Sequence, residues 1–114
     1  MNKKAELFKN YLEEKKITCF EIQEVPDDKL NTVVFRSHIE VEGQQLPTLV
    51  ILDSSIYTMI RVRVANEALK DDNKTALIDA INKINAQYKI FKYYFTEDGA
   101  LILDAYVLNR PEEL

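Results

Sequence analysis

Two segments of the chain carry apolar residues at helical spacing. The first lies in residues 5–17, where charged residues separate the apolar positions Leu7, Phe8, Tyr11 and Leu12. The second lies in residues 74–88 and has a broader stripe, made of Leu77, Ile78, Ile81, Ile84, Asn85 and Tyr88. Each pattern predicts an amphipathic helix whose apolar side packs on other structure. Residues 71–73 (Asp-Asp-Asn) precede the second helix and are residue types that cap helix N-termini.

Apolar and polar residues alternate with period two in most of the remaining chain, which predicts strands. The first strand runs from Ile17 to a turn at residues 26–29, and the clearest alternation lies in residues 31–42. Residues 49–52 are an unbroken apolar run, which indicates a central strand or one covered on both faces. The other strands are predicted at residues 56–64, 90–96 and 100–108, with hairpin turns at Gly43 and Gly99.

The order of these elements, α-ββββ-α-ββ, predicts an α+β fold. Because the four consecutive strands are joined by short loops, we expect an antiparallel sheet of about six strands with both helices on one face. The length of 114 residues fits a single domain over residues 1–114. The short charged tail after residue 108 has room for at most one helical turn, beginning at Pro111.

The second face of the predicted sheet has a mixed composition. Apolar and aromatic residues alternate there with charged ones, including Arg36, Lys92 and Asp104. Such a mixture favours a partner-binding or self-association surface. The alternative is an ordinary sheet surface, or a one-residue register error that returns several side chains to the core. The candidate interface residues are Val34, Tyr57, Met59, Arg61, Arg63, Tyr94, Ile102 and Tyr106.

The composition offers little for catalysis. His38 is the only histidine and Cys19 the only cysteine, so neither a disulfide nor a metal site of the usual ligands is predicted. The chain has neither a nucleophile-elbow motif nor a glycine-rich phosphate loop. Its carboxylates cluster in turns, where turn chemistry explains them. We therefore predict no catalytic, cofactor-binding or metal-binding residue, and no enzymatic activity.

The net charge of −4 at pH 7 argues against a nucleic-acid partner, since such proteins carry a strong basic footprint. No apolar run approaches the roughly 20 residues of a membrane-spanning helix. We therefore expect a cytoplasmic protein without a membrane partner.

The C-terminal two thirds of the chain resemble the YbjN-like family of bacterial proteins. The resemblance rests on residues 49–53 and 57–60, on the helix containing Asn82 and Asn85, and on the aromatic hairpin of residues 91–103. It implies the fold of type III secretion chaperones, a cytoplasmic location, frequent dimerisation, and a regulatory or chaperone-like binding role. The N-terminal third matches this family only in outline.

Two functions follow from these observations. The first is a non-enzymatic adaptor that binds a protein, or a second copy of itself, through a sheet face or edge. The second is a regulatory domain that binds a small molecule between the second helix and the sheet, in a pocket lined by Tyr88, Phe91 and Tyr93. On the apolar stripe, Asn85 is expected to face inward and to satisfy backbone groups near the end of its helix.

Overall fold

The computed structural model describes residues 1–108. It confirms the α+β class and the predicted element order, with six antiparallel strands in the spatial order β1-β2-β3-β4-β6-β5. The helical turn predicted at Pro111 lies outside the described residues. The elements are α1 (Lys3–Glu14), β1 (Glu21–Glu24), β2 (Val33–Val41), β3 (Gln44–Leu52), β4 (Tyr57–Ala65), α2 (Lys74–Gln87), β5 (Phe91–Phe95) and β6 (Leu101–Leu108).

Helix α1 begins and ends earlier than the sequence pattern predicts. At its start the Asn2 side chain accepts a hydrogen bond from the Ala5 amide at 2.8 Å. At its end Lys16 adopts a left-handed conformation with φ 57°, and the Ile17 amide donates to the Leu12 carbonyl at 2.8 Å. This pair of features is a Schellman closure, which stops the helix. The first strand begins at Glu21 and not at Ile17 as the pattern predicts, so β1 is only four residues long.

Helix α1 builds the main core of the molecule against β2 and β3. The Phe8 ring meets Phe35 edge to face, with ring centroids 4.9 Å apart, and Phe20 packs against both rings. The buried apolar residues around this aromatic group are Ala5, Leu12, Val33, Phe35 and Leu52. Tyr11, which the pattern assigned to the apolar stripe, is instead 50% exposed. The first half of the sheet is therefore anchored by one well-buried helix.

Helix α2 lies at the other end of the sheet, beside the edge strand β5, and is packed more loosely. None of its side chains is buried, and Ile78 is 44% exposed. Asn73 occupies the N-cap position as predicted, but its side chain makes no capping bond. It bonds within the preceding loop instead, to the Lys70 amide and the Ala68 carbonyl. The predicted stripe packs on the sheet only in part: Leu77, Ile81 and Asn85 are half-buried, whereas Ile78, Ile84 and Tyr88 are exposed.

The strand register divides the sheet into two faces. Phe35 and Val50 are paired residues on one face, which also carries Phe91 and Tyr93 at the far end. Helix α1 contacts Phe35 on this face and Tyr88, directly after α2, contacts Phe91 on it. We call it the helix-bearing face, and the opposite side, whose strands no described helix covers, the helix-free face. Both helices therefore lie on one side of the sheet, as predicted.

Two tight turns hold the hairpins. Glu42 and Gly43 both have positive φ angles, 51° and 81°, as a two-residue type I′ turn requires. Gly99 has φ 83° between β5 and β6, and the Leu69 carbonyl lies 3.3 Å from where its Cβ would stand. A larger residue at position 99 would be strained by the backbone conformation and would require the Leu69 carbonyl to shift by a few tenths of an ångström. Both predicted hairpin glycines occupy turns.

Candidate protein-binding face

The register brings all eight candidate interface residues onto the helix-free face. Arg61 lies opposite Asp104, Met59 opposite Tyr106, and Ile102 lies between Arg63 and Tyr94. Because side chains alternate along a strand, these pairs fix the face of every other residue in the same strands. The eight residues come from β2, β4, β5 and β6, which occupy four of the six positions in the sheet. The sequence pattern therefore assigned their common face correctly.

Exposure differs strongly among these eight residues. Tyr57 is 53% exposed. Val34 and Ile102 are only 9% and 4% exposed, so the prediction that they point freely outward is wrong for these two. Ile102 lies between Arg63 and Tyr94, its partners on the two neighbouring strands. Val34 and Ile102 form part of the floor of the face, and the larger side chains around them form its outer surface.

A buried ion pair lies in the middle of the face. The Arg61 Nε and Nη2 atoms donate to the two Asp104 carboxylate oxygens at 2.9 and 3.0 Å. The Asp104 side chain is 2% exposed and that of Arg61 is 37% exposed. The hydrogen bond to Asp104 is the main cause that raises the pKa of Arg61 above its ordinary value. The carboxylate is thus neutralised within the protein, while part of the guanidinium remains at the surface.

Tyr94 and Lys92 extend this cluster along β5. Burial is the main cause that raises the pKa of Tyr94, and the nearby Asp104 carboxylate adds to the effect. The Lys92 Nζ atom lies 5.4 Å from the centre of the Tyr94 ring, within cation–π distance. The face is therefore aromatic and cationic at this end.

A depression of about 420 Å³ lies at the other end of the face. Its apolar lining includes Ile51, Met59 and Tyr106, and Leu30 and Tyr57 stand beside them. Its polar lining is Asp53 and Ser55. The Asp53 carboxylate accepts a bond from the Ser55 amide at 2.9 Å and lies 3.9 Å from the Lys4 ammonium. The depression is thus mainly apolar, and its one carboxylate already has partners.

A second depression, of about 460 Å³, lies on the helix-bearing face between α2 and the sheet. The three residues predicted to line a pocket here, Tyr88, Phe91 and Tyr93, all line it, together with Ile84, Gln87 and Leu103. Tyr88 and Phe91 are 54% and 42% exposed, so the depression is wide and open to solvent. Its walls are aromatic and aliphatic, which suits an apolar ligand.

Asn85 joins α2 to the edge of the sheet. Its Nδ2 atom donates to the Tyr93 carbonyl, and its Oδ1 atom accepts from the Tyr93 amide, both at 2.8 Å. The side chain therefore takes the place of a neighbouring strand at one residue of β5. The prediction that Asn85 faces inward and bonds to backbone groups is confirmed, but these groups belong to strand β5 and not to the end of its own helix.

Lys4 is a buried residue that the sequence reasoning missed. It is 0% exposed, and its Nζ atom donates to the Tyr57 carbonyl at 2.7 Å and to the Thr58 Oγ1 atom at 3.3 Å. Burial lowers the pKa of Lys4, and the Asp53 carboxylate partly opposes that shift. A lysine in the first turn of an amphipathic helix gives no signal of burial, because its partners come from a distant strand.

The side chains most often used in catalysis are dispersed. His38 and Cys19 are both exposed. Within residues 1–108, no three His, Cys, Asp or Glu side chains are grouped so as to hold a metal ion. In the same part of the chain, no helix has both the length and the apolar character needed to cross a membrane.

The fold and the face define a small α+β domain with an open antiparallel sheet, one uncovered side of which presents tyrosine, methionine and arginine side chains. Comparisons with family models, curated proteins and solved structures find no significant match to this chain.

Proposed function

We propose that this protein is a non-enzymatic adaptor or regulator that binds a partner protein through the helix-free face or an adjacent sheet edge. The observation that carries the proposal is the alignment of Tyr57, Met59, Tyr94 and Tyr106 around the neutralised Arg61 on one uncovered face. Protein interfaces are enriched in these residue types and poor in free carboxylates at their centre.

A sheet edge is also available beside this face. Strand β1 pairs with only the first four residues of β2, Val33–Arg36. The outer edge of residues 37–41 has no partner strand among residues 1–108. An extended segment of a partner can add to such an edge while its side chains reach the face.

The proposal places the protein in the bacterial YbjN-like class with a type III secretion chaperone-like fold, acting in the cytoplasm. The element order and the Asn85 contact at the start of the aromatic hairpin support this assignment. The partner is a protein or a second copy of the chain, and neither nucleic acid, membrane nor cofactor takes part.

Site-specific photocrosslinking tests the proposal, because the chain offers three matched tyrosines. Tyr57 on the helix-free face, Tyr11 on α1 and Tyr88 beside α2 are 53%, 50% and 54% exposed. Each is replaced by p-benzoylphenylalanine in cells that make the protein. We expect a protein adduct from position 57 and none from position 11.

The pattern of adducts separates the alternatives. An adduct from position 88 alone moves the site to the helix-bearing face, and adducts from no position contradict the proposal. Size-exclusion chromatography with light scattering identifies the partner as self if the mass is twice 13.3 kDa. A monomer at high concentration leaves only a foreign partner.

The second candidate function, a small-molecule-binding regulatory domain, is supported by the depression between α2 and the sheet. A specific ligand there raises the melting temperature as its concentration exceeds the Kd. Thermal-shift screening with metabolites tests this function. A hit counts only if Tyr88→Ala abolishes its shift while Tyr11→Ala, at an equally exposed position, preserves it.

A further inference from the structure

The composition of the helix-free face changes from one end to the other, and this change defines the chemistry of its partner. The inference rests on the proposed function. Tyr57, Met59, Arg61 and Arg63 follow one another at every second position of β4 and point to this face. Successive members of this row lie about 7 Å apart along the strand. The row therefore changes from apolar to basic over about 20 Å.

The apolar end provides an anchor position. The depression of about 420 Å³ beside Met59 and Tyr57 is of the size in which proteins hold small ligands, and it has room for a large apolar side chain. Its carboxylate, Asp53, is compensated by Lys4 and Ser55. An apolar group entering the depression therefore meets no unpaired charge.

The other end of the row is positive although the whole chain carries −4. Arg61, Arg63 and Lys92 present three cations there. The carboxylate of Asp104 is 2% exposed, and both of its oxygens are bound by Arg61. Asp98 lies 3.7 Å from Arg63, and because both side chains are exposed this pair is weak. Three cations against the two carboxylates Asp104 and Asp98 leave a net charge of +1 at this end, to which Arg63 and Lys92 contribute more than the paired Arg61.

We infer that the face takes an acidic polypeptide segment with one large apolar side chain seated beside Met59 and carboxylates on Arg61 and Arg63. The arginines lie about 7 and 14 Å from Met59 along the strand. The carboxylates therefore follow or precede the apolar residue by two to four positions in an extended segment. In a helical segment, with a rise of about 1.5 Å per residue, the interval is five to nine positions.

A selection with random 12-residue displayed peptides on the immobilised full chain tests the inference. We expect enriched peptides to pair an aromatic or aliphatic residue with Asp or Glu at one of these intervals. The affinity of the most enriched peptide is then measured by fluorescence anisotropy on the wild type and on the double variant Arg63→Glu with Lys92→Glu. These two positions are chosen because neither side chain is paired with a buried group.

The double variant is expected to weaken peptide binding by at least about tenfold. Peptide binding to the wild type should likewise weaken as the salt concentration is raised. The control is Lys83→Glu on α2, an exposed lysine whose described pair is the exposed Asp79, and binding should stay within about twofold of the wild type. Circular dichroism of each variant confirms that the fold is retained.

Three results of the peptide experiments overturn the inference: no enriched peptide, enriched peptides without acidic residues, or affinities unchanged by the double variant. Binding of phosphatidylserine vesicles without peptide enrichment would also overturn it in favour of a lipid surface. If position 57 crosslinks to a protein while the peptides carry no acidic residue, the proposed function stands and only the charge of the partner is wrong. If position 57 gives no protein adduct and no acidic peptide is enriched, the proposed function and the inference are both wrong.

Discussion

Arg61 and Asp104 illustrate how unequal burial divides the roles of two paired residues. The arginine side chain is 37% exposed and the carboxylate 2% exposed, although they share two hydrogen bonds. Without Asp104, the guanidinium turns toward water. Without Arg61, the carboxylate loses its neutralising partner where water does not reach, and an uncompensated buried charge is costly. The pair therefore stabilises the fold mainly by keeping Asp104 paired.

We predict that Arg61→Met destabilises the protein more than Asp104→Asn does. The expected losses in the free energy of unfolding are about 2–4 kcal/mol for Arg61→Met and about 1 kcal/mol for Asp104→Asn. The double variant Arg61→Met with Asp104→Leu removes both charges, so its stability should exceed that of Arg61→Met alone. Urea titration at pH 7 measures all three, and equal losses for the two single variants would contradict this reasoning.

Asp28 gives a pH-dependent prediction in the loop between β1 and β2. Its Oδ2 atom accepts hydrogen bonds from the Thr32 hydroxyl and from the Thr32 amide, the latter at 2.9 Å, and these lower its pKa below 3.8. The stability from this carboxylate is therefore fully present above pH 4 and is lost as the pH falls through the lowered pKa.

Asp28→Asn should accordingly lower the melting temperature at pH 7, and the difference from the wild type should shrink at pH 3. Asp27→Asn is the matched control, since Asp27 is exposed and has φ 55°, a conformation that asparagine tolerates. Thermal melts at both pH values check the prediction. A difference that is the same at both would show that the carboxylate's ionisation is not involved.

At the level of elements, the two helices hold the sheet by different means. Helix α1 buries Leu12 and packs Phe8 in an aromatic cluster, whereas α2 buries no side chain and depends on the Asn85 bonds to β5. Regions with few buried apolar contacts open locally before the rest of a protein. Amides of α2 should therefore exchange with solvent faster than those of α1.

The Asn85 contact is testable by one substitution. Asn85→Ala removes both bonds to Tyr93 and should cost about 1–2 kcal/mol of stability, with faster hydrogen exchange at the Tyr93 amide. Asn82→Ala, on the same helix at an exposed position, should be neutral or slightly stabilising. If Asn85→Ala left the melting temperature unchanged but abolished partner binding, the residue's role would be functional and not structural.

The sequence predicted the elements and the faces well because strand alternation is a local signal. Residues 33–41 lie on the faces that their pattern indicates, and Asn85 was identified from its place on an apolar stripe. What the pattern missed depends on distant partners. Lys4 is buried and donates to β4, and Ile102 is 4% exposed between its partners on two neighbouring strands. The pattern also indicated closer packing of α2 than the structure shows, because how closely a helix packs depends on strands that are distant in the sequence.

The whole molecule exposes more surface than its mass requires. Its accessible area is 8184 Å², whereas a compact monomer of 13.3 kDa exposes roughly 6,450 Å². When residues 109–114 are removed from both figures, at their fully extended area and at their mass, the excess is about 900 Å². A standard protein interface covers about 800 Å² on each partner. The excess is therefore large enough to hold one interface, in agreement with the proposed binding role.

Small-angle X-ray scattering tests this open shape. The Cα radius of gyration is 16.0 Å, with extents of 46 × 29 × 28 Å, against about 13 Å for a compact chain of this length. We expect a measured radius of at least 16 Å in dilute solution. A value near 13 Å would mean that the helices close over the sheet, and the surface excess would then not exist.

The bonds between Asn85 and Tyr93 also affect how readily the protein aggregates. Strand β5 has the sequence Phe-Lys-Tyr-Tyr-Phe, which combines high β-propensity with little charge, and it lies at an outer edge of the sheet. When α2 detaches, that edge becomes a template on which further chains can stack as amyloid. Fibril formation should therefore have a lag time set by the opening of one helix, well before global unfolding. We therefore expect the two bonds made by this one amide side chain to delay aggregation of the protein.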